Sequence, residues 1–314
     1  MRRRDAKDRP TGWNHHRDCG RDSGIRGRHR PNPPGPAPDP LLGTWALTVD
    51  GVYAGPVASV DGCSVTAAVI KEPPGPDRVT PKHGGAPVPA PCSIEVGLGM
   101  SSDFQQWLDG SLAGTEHPRD VQLVRVDTRA YALDMPHTAV VGVSLPKLDT
   151  ASRAPAFLKL DLLPEVLRRR SVPRLPKDAF LNAPRPFTPA MLSAQLDDVR
   201  LDVTSVGPWQ AVMEQAPATG LERDYARSPK PSEVDNLPLR AAEARIAPLD
   251  AWMQAQFVDG YVDERSLVLT LGDGRSALDL KLGHAGLAKG DLAPRADGSR
   301  AYALYAETAT IASR

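Results

Sequence analysis

Proline is the residue that most limits how this chain can fold. The 314-residue sequence contains 32 prolines and 26 glycines. Because proline fixes φ and has no backbone N–H, it ends helices and is confined to the edges of sheets. A chain rich in both residues favours short elements separated by turns. Since 41% of the residues are hydrophobic, a core is also expected, and we predict a β-rich protein with sizeable loops.

Charge and hydropathy narrow the class of protein further. The formal net charge is zero, which argues against a surface that tracks nucleic acid along its whole length. No run approaches the roughly 18 apolar residues of a membrane span. The N-terminus has charge but lacks the apolar stretch of a secretory signal. We therefore expect a protein that is cytoplasmic at synthesis and has no membrane partner.

The three cysteines, Cys19, Cys63 and Cys92, stand far apart in the sequence. No CxxC pair is present, so neither a zinc ribbon nor a thioredoxin-like site is indicated. Cys63 and Cys92 can pair only if two adjacent strands carry them. In a cytosolic protein we expect buried thiols instead.

Residues 1–40 form an arginine-rich segment that ends in a Pro/Gly run. The segment holds almost no aliphatic residues to offset the entropy of ordering, so we predict a disordered Arg/Pro-rich leader. A basic arm that binds a polyanion is one interpretation; an unstructured leader, or a start codon assigned too early, is the other. His15, His16 and Cys19 lack the second spaced pair of a metal site.

Residues 41–165 are predicted to form the first domain. Residues 45–49 alternate between apolar and polar, as in a half-buried strand, and Asp50-Gly51 offers hairpin-turn chemistry. Residues 57–70 continue extended, and a Pro/Gly-rich loop is predicted over residues 71–91. Further strands are expected at 93–100, 121–126, 130–135 and 155–163.

One helix interrupts these strands. Ser101, Ser102 and Asp103 supply capping side chains. Apolar residues then recur at helical spacing as far as Gly114: Phe104, Trp107, Leu108 and Leu112. We expect Trp107 to be a core residue, because an aromatic side chain buries a large area and its N–H needs one partner.

Residues 166–195 contain several prolines and the triplet Arg168-Arg169-Arg170. They are predicted to be a stiff, extended linker. The triplet is interpreted as a solvated charge run at a strand exit rather than as a phosphate-binding patch.

Residues 196–314 are predicted to repeat the order of the first domain. We match residues 199–203 to 45–49, Trp252 to Trp107, and Gly260 to Gly114. The other matches are the segments 239–246, 267–271, 276–282 and 302–310. A tryptophan at the same point of both helices favours a diverged tandem repeat over two unrelated α+β domains, which is the alternative.

This order of elements resembles the tail tube proteins of contractile phages and contractile injection systems. It is strongest in Ser93–Gly114 with its Phe104-x-x-Trp107 core, followed by residues 119–126 and 130–163. The resemblance implies a mainly β (α+β) fold with two tandem tail-tube-like β-barrel or sandwich domains, each with one short flanking helix. It also implies rings stacked around a channel, with loop 71–91 reaching a neighbour.

The resemblance further implies self-association as the main interaction, with rings of three two-domain copies or six copies. Other tube, sheath or baseplate and hub proteins are the expected partners, and nucleic acid enters only as cargo. Tube subunits usually carry one such domain, so a tandem chain suits a hub as well as a tube.

Motifs for chemistry are weak. Gly97-Leu98-Gly99 lacks the third glycine of a dinucleotide fingerprint, and no P-loop lysine follows. Four histidines stand isolated in sequence, next to turn residues or alone: His83, His117, His137 and His284. Asp197-Asp198 is interpreted as a solvated turn. We therefore predict no enzyme activity and no catalytic, cofactor-binding or metal-binding residue.

Two functions follow. One is a structural subunit of a phage-tail-like contractile injection apparatus, incorporated into an assembled particle. The alternative is a two-domain binding module, or an unfamiliar enzyme, with a pocket between its domains.

Overall fold

A computed structural model describes residues 44–126, 130–172, 183–214, 232–261 and 263–314. The leader predicted over residues 1–40 therefore lies outside the described part of the chain. For brevity, residues 44–172 are the N-half and residues 183–314 the C-half.

The N-half consists of strands and one helix. Its elements are β1 (Thr44–Val49), β2 (Val52–Gly62), β3 (Val65–Lys71), β4 (Lys82–Pro89), β5 (Cys92–Val96), α1 (Ser102–Leu112), β6 (Arg119–Val126), β7 (Tyr131–Leu145), β8 (Leu148–Asp149), β9 (Leu158–Leu163) and β10 (Arg168–Ser171).

The C-half has a similar composition of elements. These are β11 (Ser193–Leu196), β12 (Val199–Leu201), β13 (Val203–Val206), β14 (Trp209–Val212), β15 (Glu233–Val234), β16 (Leu237–Ala242), α2 (Ala247–Met253), β17 (Arg265–Gly272), β18 (Ala277–Gly290), β19 (Ser299–Tyr305) and β20 (Thr308–Ser313). Short 3-10 turns lie at Pro189–Met191 and Glu243–Arg245, and a π-turn at Gln254–Val258 continues α2.

The N-half sheet closes on itself. Its strands pair in the order β7–β6–β1–β2–β5–β9, and β9 pairs back onto β7 to complete a six-stranded barrel. Strand β10 adds to the same edge of β7 beyond β9. Inward side chains such as Leu47, Leu123 and Leu160 are buried, as the alternation of apolar and polar residues requires.

The C-half uses the same pairing order around a half-barrel. Strand β18 pairs with β17, β17 with β11, and β11 with β12; β18 also pairs with β19, β19 with β16, and β16 with β13. Strands β12 and β13 are separated by Asp202 alone, so together they hold the place of β2. Strand β20 pairs with β18 as β10 pairs with β7. The prediction of a mainly β fold with barrel-like sheets and a short helix in each half is confirmed.

Local details recur at equivalent points of the two halves. Asp50 and Asp197 both have φ near 50°. The N–H of Asp50 donates to the carbonyl of Asp120 at 2.7 Å, and the N–H of Asp197 donates to that of Ser266 at 2.7 Å. In return, Asp120 N–H donates to Asp50 Oδ1 and Ser266 N–H donates to Asp197 Oδ1. In each half an aspartate at the hairpin turn therefore exchanges two hydrogen bonds with a neighbouring strand, which fixes β1 against β6 and β11 against β17 in the same way.

Helix α1 begins as the sequence predicts, and the tryptophan of each helix packs in the core. Ser101 caps α1, because its hydroxyl accepts the N–H of Phe104 at 3.3 Å. Trp107 and Trp252 are both buried. The indole N–H of Trp252 donates to the carbonyl of Asp263 at 2.8 Å, which satisfies its polar atom within the core.

Several sequence-based boundaries are wrong. Strand β11 (193–196), not residues 199–203, is the counterpart of β1, because β11 occupies the same place in the pairing order. The stretch predicted as a linker, residues 166–195, contains β10 and the first three residues of β11, and its residues 173–182 lie outside the described part of the chain. The loop predicted over 71–91 contains β4, whose prolines are tolerated in an exposed two-stranded hairpin with β3.

The expectation for the cysteines is also wrong. Cys63 and Cys92 form a disulfide with their Cα atoms 4.3 Å apart. Gly62 pairs with Cys92 at the end of the β2–β5 ladder, which brings Cys63 alongside. The compartment rule that favoured free thiols does not take this register into account.

Candidate assembly interface

A β-ladder joins the two halves. Strand β14 of the C-half pairs with the end of β7 in the N-half barrel, with Trp209 opposite Leu145, Ala211 opposite Val143 and Val212 opposite Gly142. Strand β8 of the N-half in turn pairs with β13. The two halves therefore exchange strands, and the barrel sheet continues through β14 to β15.

A helix contact accompanies this ladder. Helix α1 of the N-half packs on β20 of the C-half. The carboxylate of Asp109 on α1 accepts the backbone N–H of Ile311 on β20 at 2.8 Å. We call the β7–β14 ladder together with the α1–β20 contact the internal junction.

An ion pair within the C-half holds the segment that runs along the N-half, because the backbone of Arg185 also bonds Leu98. Arg185 Nε donates to Asp273 Oδ2 at 3.1 Å, and the second guanidinium nitrogen donates to the same oxygen. The hydrogen bond from Arg185, with backbone N–H groups of Arg275 and Ser276, lowers the pKa of Asp273 to about 2 from 3.8. A lowered carboxyl pKa means that the folded state favours the charged form.

We expect the Arg185–Asp273 contact to contribute to acid sensitivity. Because the folded pKa is depressed, its contribution is present above about pH 4 and is lost as pH falls towards 2. Urea unfolding at pH 7 and pH 2.5 measures this. Asp273→Asn should flatten the fall in the free energy of unfolding between those pH values, whereas the control Asp61→Asn, at an exposed carboxylate on β2, should not. An unchanged fall in Asp273→Asn would contradict this role.

The Gly97-Leu98-Gly99 motif has a packing role in the structure. The N–H of Leu98 donates to the carbonyl of Arg185 at 2.7 Å. A Cβ on Gly97 would lie 1.9 Å from that carbonyl oxygen. The segment that enters the C-half therefore passes directly over Gly97, and only glycine leaves it room.

Gly97→Ala is accordingly expected to be destabilising, by about 1–3 kcal/mol, since the obstructing atom belongs to the backbone. Thermal or urea unfolding measures the loss. Gly84→Ala is the control, because nothing lies within 4 Å of the Cβ position there. Equal stability of the two variants would contradict the close approach.

The histidines are less isolated than the sequence suggested. His83 lies 3.4 Å from Glu72, His137 lies 3.8 Å from Glu165, and His284 lies 3.0 Å from Glu264. Glu307 joins the last pair, and ligand atoms of Glu264, His284 and Glu307 lie within 4.8 Å of one another. All three residues are exposed, so the group is a surface charge cluster with the donor types of a cation site.

The other sequence candidates are structural. Asp197 forms the turn described above, and Asp198 is exposed beside it. The arginine triplet forms the exposed strand β10. Arg169 stacks over Tyr131 at 4.1 Å, and Arg170 bonds Asp134 at 2.6 Å. The triplet is therefore a paired edge strand and not a run leaving the fold.

Two concavities lie where the halves meet. The first has a volume of about 140 Å³ and is lined by residues such as Gly97, Phe104 and Leu278, which is below the size of a usual ligand pocket. The second is an open groove of about 980 Å³ beside Trp209 and Lys159. The ladder residues Ser144, Leu145, Trp209 and Gln210 form part of its wall.

Large apolar side chains are exposed in two groups. On the hairpin of β3 and β4 they include Val65, Val69, Ile70, Val79 and Val88. A second group follows α2, where Phe257 and Val258 are exposed. Large apolar residues on one exposed hairpin are typical of contact surfaces.

No family model matches the chain, and no curated protein matches it. The solved structures that the chain matches include a chain of an extracellular contractile injection system, the PVC sheath–tube complex in its extended state. That chain aligns with 15% identity and a TM-score of 0.34, over 43% of this chain and 91% of its own length.

Within the part of the chain that the structure describes, no helix is long and apolar enough to cross a membrane.

Proposed function

We propose that this protein is a structural subunit of a phage-tail-like contractile injection apparatus, that its copies associate into a ring or tube around a central channel, and that it is not an enzyme. The observation that carries the proposal is the β7–β14 ladder, through which one barrel-like sheet is extended by a strand of the other half. A sheet built to continue across such borders is suited to propagation between molecules.

The recurring strand order supports the same proposal. Because the two halves share one pairing order, we take the chain as a tandem of two related building blocks. Three chains would then supply six blocks to a ring, and six chains would supply twelve. Other tube, sheath or hub proteins are further partners, and nucleic acid is at most the cargo of the channel. The protein is made in the cytoplasm and becomes part of the assembled particle.

Negative-stain electron microscopy of the purified full chain over a concentration series tests this proposal. The expected result is ring-shaped or stacked particles with a central hole. Particles of single-chain size at every concentration would contradict it and would favour the alternative, a monomeric binding module that uses the groove beside Trp209.

A further inference from the structure

The internal junction has an uncovered counterpart on the N-half. Strands β3 and β4 repeat the pairing of β14 and β15: Val65 opposes Pro89 as Ala211 opposes Val234. One residue earlier, Ala90 N–H donates to the carbonyl of Ser64 at 2.8 Å. The N–H of Asp235 donates to the carbonyl of Gln210 at 2.9 Å in the same way. Strand β3 is therefore the N-half equivalent of β14 in the C-half.

The two equivalent strands differ in what covers them. Strand β14 pairs with β15 along one edge and with β7 along the other, and Ala211 is 0% exposed. Among the described strands, β3 pairs with β4 alone, and Val65 is 47% exposed. An edge strand that carries exposed apolar side chains is a template for pairing with another chain.

In the C-half the equivalent of β7 is β18, and the end of β18 has an unpaired edge among the described strands. Strand β7 pairs with β9 through a bulge between Val140 and Gly142, and β18 pairs with β19 through a bulge between Leu287 and Lys289. This fixes Lys289 as the equivalent of Gly142. Beyond the bulge β7 is covered by β14, whereas β18 has only β19 among the described strands.

Exposure at the strand ends shows the same difference. Leu145 is three residues after Gly142 and is 1% exposed beneath β14. Leu292 is three residues after Lys289 and is 82% exposed. Just before this point, the side chain of Gln256 bonds both the N–H and the carbonyl of Leu287, at 2.9 and 3.0 Å. Gln256 thus satisfies the backbone of this edge of β18 at Leu287, and no described strand pairs with the edge beyond that residue.

The elements equivalent to the α1–β20 contact are α2 and β10, and exposed residues lie on or next to both. Helix α1 packs on β20, while β10, the equivalent of β20, is exposed along its whole length. Helix α2 is followed by Phe257, which is 51% exposed. Both parts of the internal junction therefore recur, without a partner in the described chain, at the outer borders of the two halves.

We infer that a second copy of this chain docks head to tail, with β3 of one molecule pairing with the end of β18 of the next, in the register of the internal junction. Val65 then lies opposite Gly290, and Thr66 opposite Lys289, as Ala211 lies opposite Val143 and Val212 opposite Gly142. In the same step α2 of one copy covers β10 of the other. This rests on the proposed function and deepens it by naming the contact.

Direction and symmetry are consistent with this contact. Within a chain the N-half presents β7 and α1, and the C-half receives them with β14 and β20. Between chains the C-half presents β18 and α2, and the N-half receives them with β3 and β10. Every junction then runs the same way, which is a heterologous interface that closes into a ring when the rotation permits.

Cysteine cross-linking of the full chain tests the register. Thr66→Cys and Lys289→Cys are each made in a Cys19→Ser background, mixed, and oxidised mildly. Residues directly opposite across a strand pair are close enough for a disulfide. We expect a non-reducing band of about twice the 33.7 kDa chain mass in this mixture. Thr66→Cys mixed with Lys281→Cys, exposed on the same strand β18, is the matched control.

The double variant Thr66→Cys/Lys289→Cys adds a count of subunits. It should give a ladder of covalent species that ends at a closed ring, because each chain then carries both sides of the contact. A cross-link no stronger than in the Lys281→Cys control would overturn the inference. If microscopy still shows rings in that case, the register is wrong while the proposed function stands; if the chains stay single, both fail.

Discussion

Replacing Trp252 by alanine is expected to lower the free energy of unfolding by about 3–5 kcal/mol. Trp252 is among the largest completely buried side chains. Its N–H bonds the carbonyl of Asp263, and the guanidinium of Arg265 lies 5.6 Å from the centre of its ring. Alanine leaves a cavity in a core that packs densely, and it also leaves that carbonyl without its donor. Urea unfolding followed by circular dichroism measures the loss.

Phe257→Ala is the matched control, because Phe257 follows the same helix but is half exposed. We expect it to change the free energy of unfolding by less than about 1 kcal/mol when both proteins are studied at concentrations where chains are single. Trp107→Ala should behave like Trp252→Ala, since Trp107 is buried at the equivalent point of α1. Similar losses in the Phe257 and Trp252 variants would show that α2 does not anchor the core.

The second large effect is expected on assembly. Val65→Asp should weaken self-association at least about 100-fold, since an uncompensated buried charge costs about 3–5 kcal/mol and each 1.4 kcal/mol is a factor of ten. The equivalent position within the chain, Ala211, is completely buried at the internal junction. Because Val65 itself is exposed in the single chain, the fold should be unaffected. Sedimentation velocity over a concentration series measures the shift.

Val79→Asp provides the comparison for this variant. Val79 is exposed between β3 and β4, but it lies outside the stretch that repeats the internal junction. We expect Val79→Asp to assemble like the unmodified chain and to unfold at the same denaturant concentration as Val65→Asp. Loss of assembly in both variants, or in neither, would argue against β3 as the docking strand.

Local patterns in the sequence predicted most elements correctly. Alternation located β1 and β9, and helical spacing after Ser101 located α1 with Trp107 in the core. These features depend on neighbours in sequence, through turn chemistry, capping and burial on one face. The equivalence of Trp107 and Trp252 was also visible, because a tryptophan is rare enough to mark a position.

Features that depend on distant pairing were missed. The prolines at 87 and 89 suggested a loop, yet they lie in β4 of an exposed hairpin that tolerates the missing N–H. The short strand β11 was assigned to a linker because four residues give little alternation to detect. The ladder between β7 and β14 joins segments more than 60 residues apart in sequence, and no local pattern specifies such a pairing.

The candidate interface was therefore only partly predictable. The resemblance to tail tube proteins implied self-association and a reaching loop, but not which edges meet. The equivalence of β3 with β14, and of β18 with β7, follows only from the strand registers. Exposure of Leu292 and Val65 becomes informative once their buried equivalents are known.

The central claim is that the chain completes its open borders with further copies of itself. Native mass spectrometry of the purified, unmodified protein tests it most directly. The expected spectrum is dominated by closed multiples of the 33.7 kDa chain, with three copies giving a ring of six halves. A spectrum that contains single chains alone, at concentrations up to the limit of solubility, would contradict it.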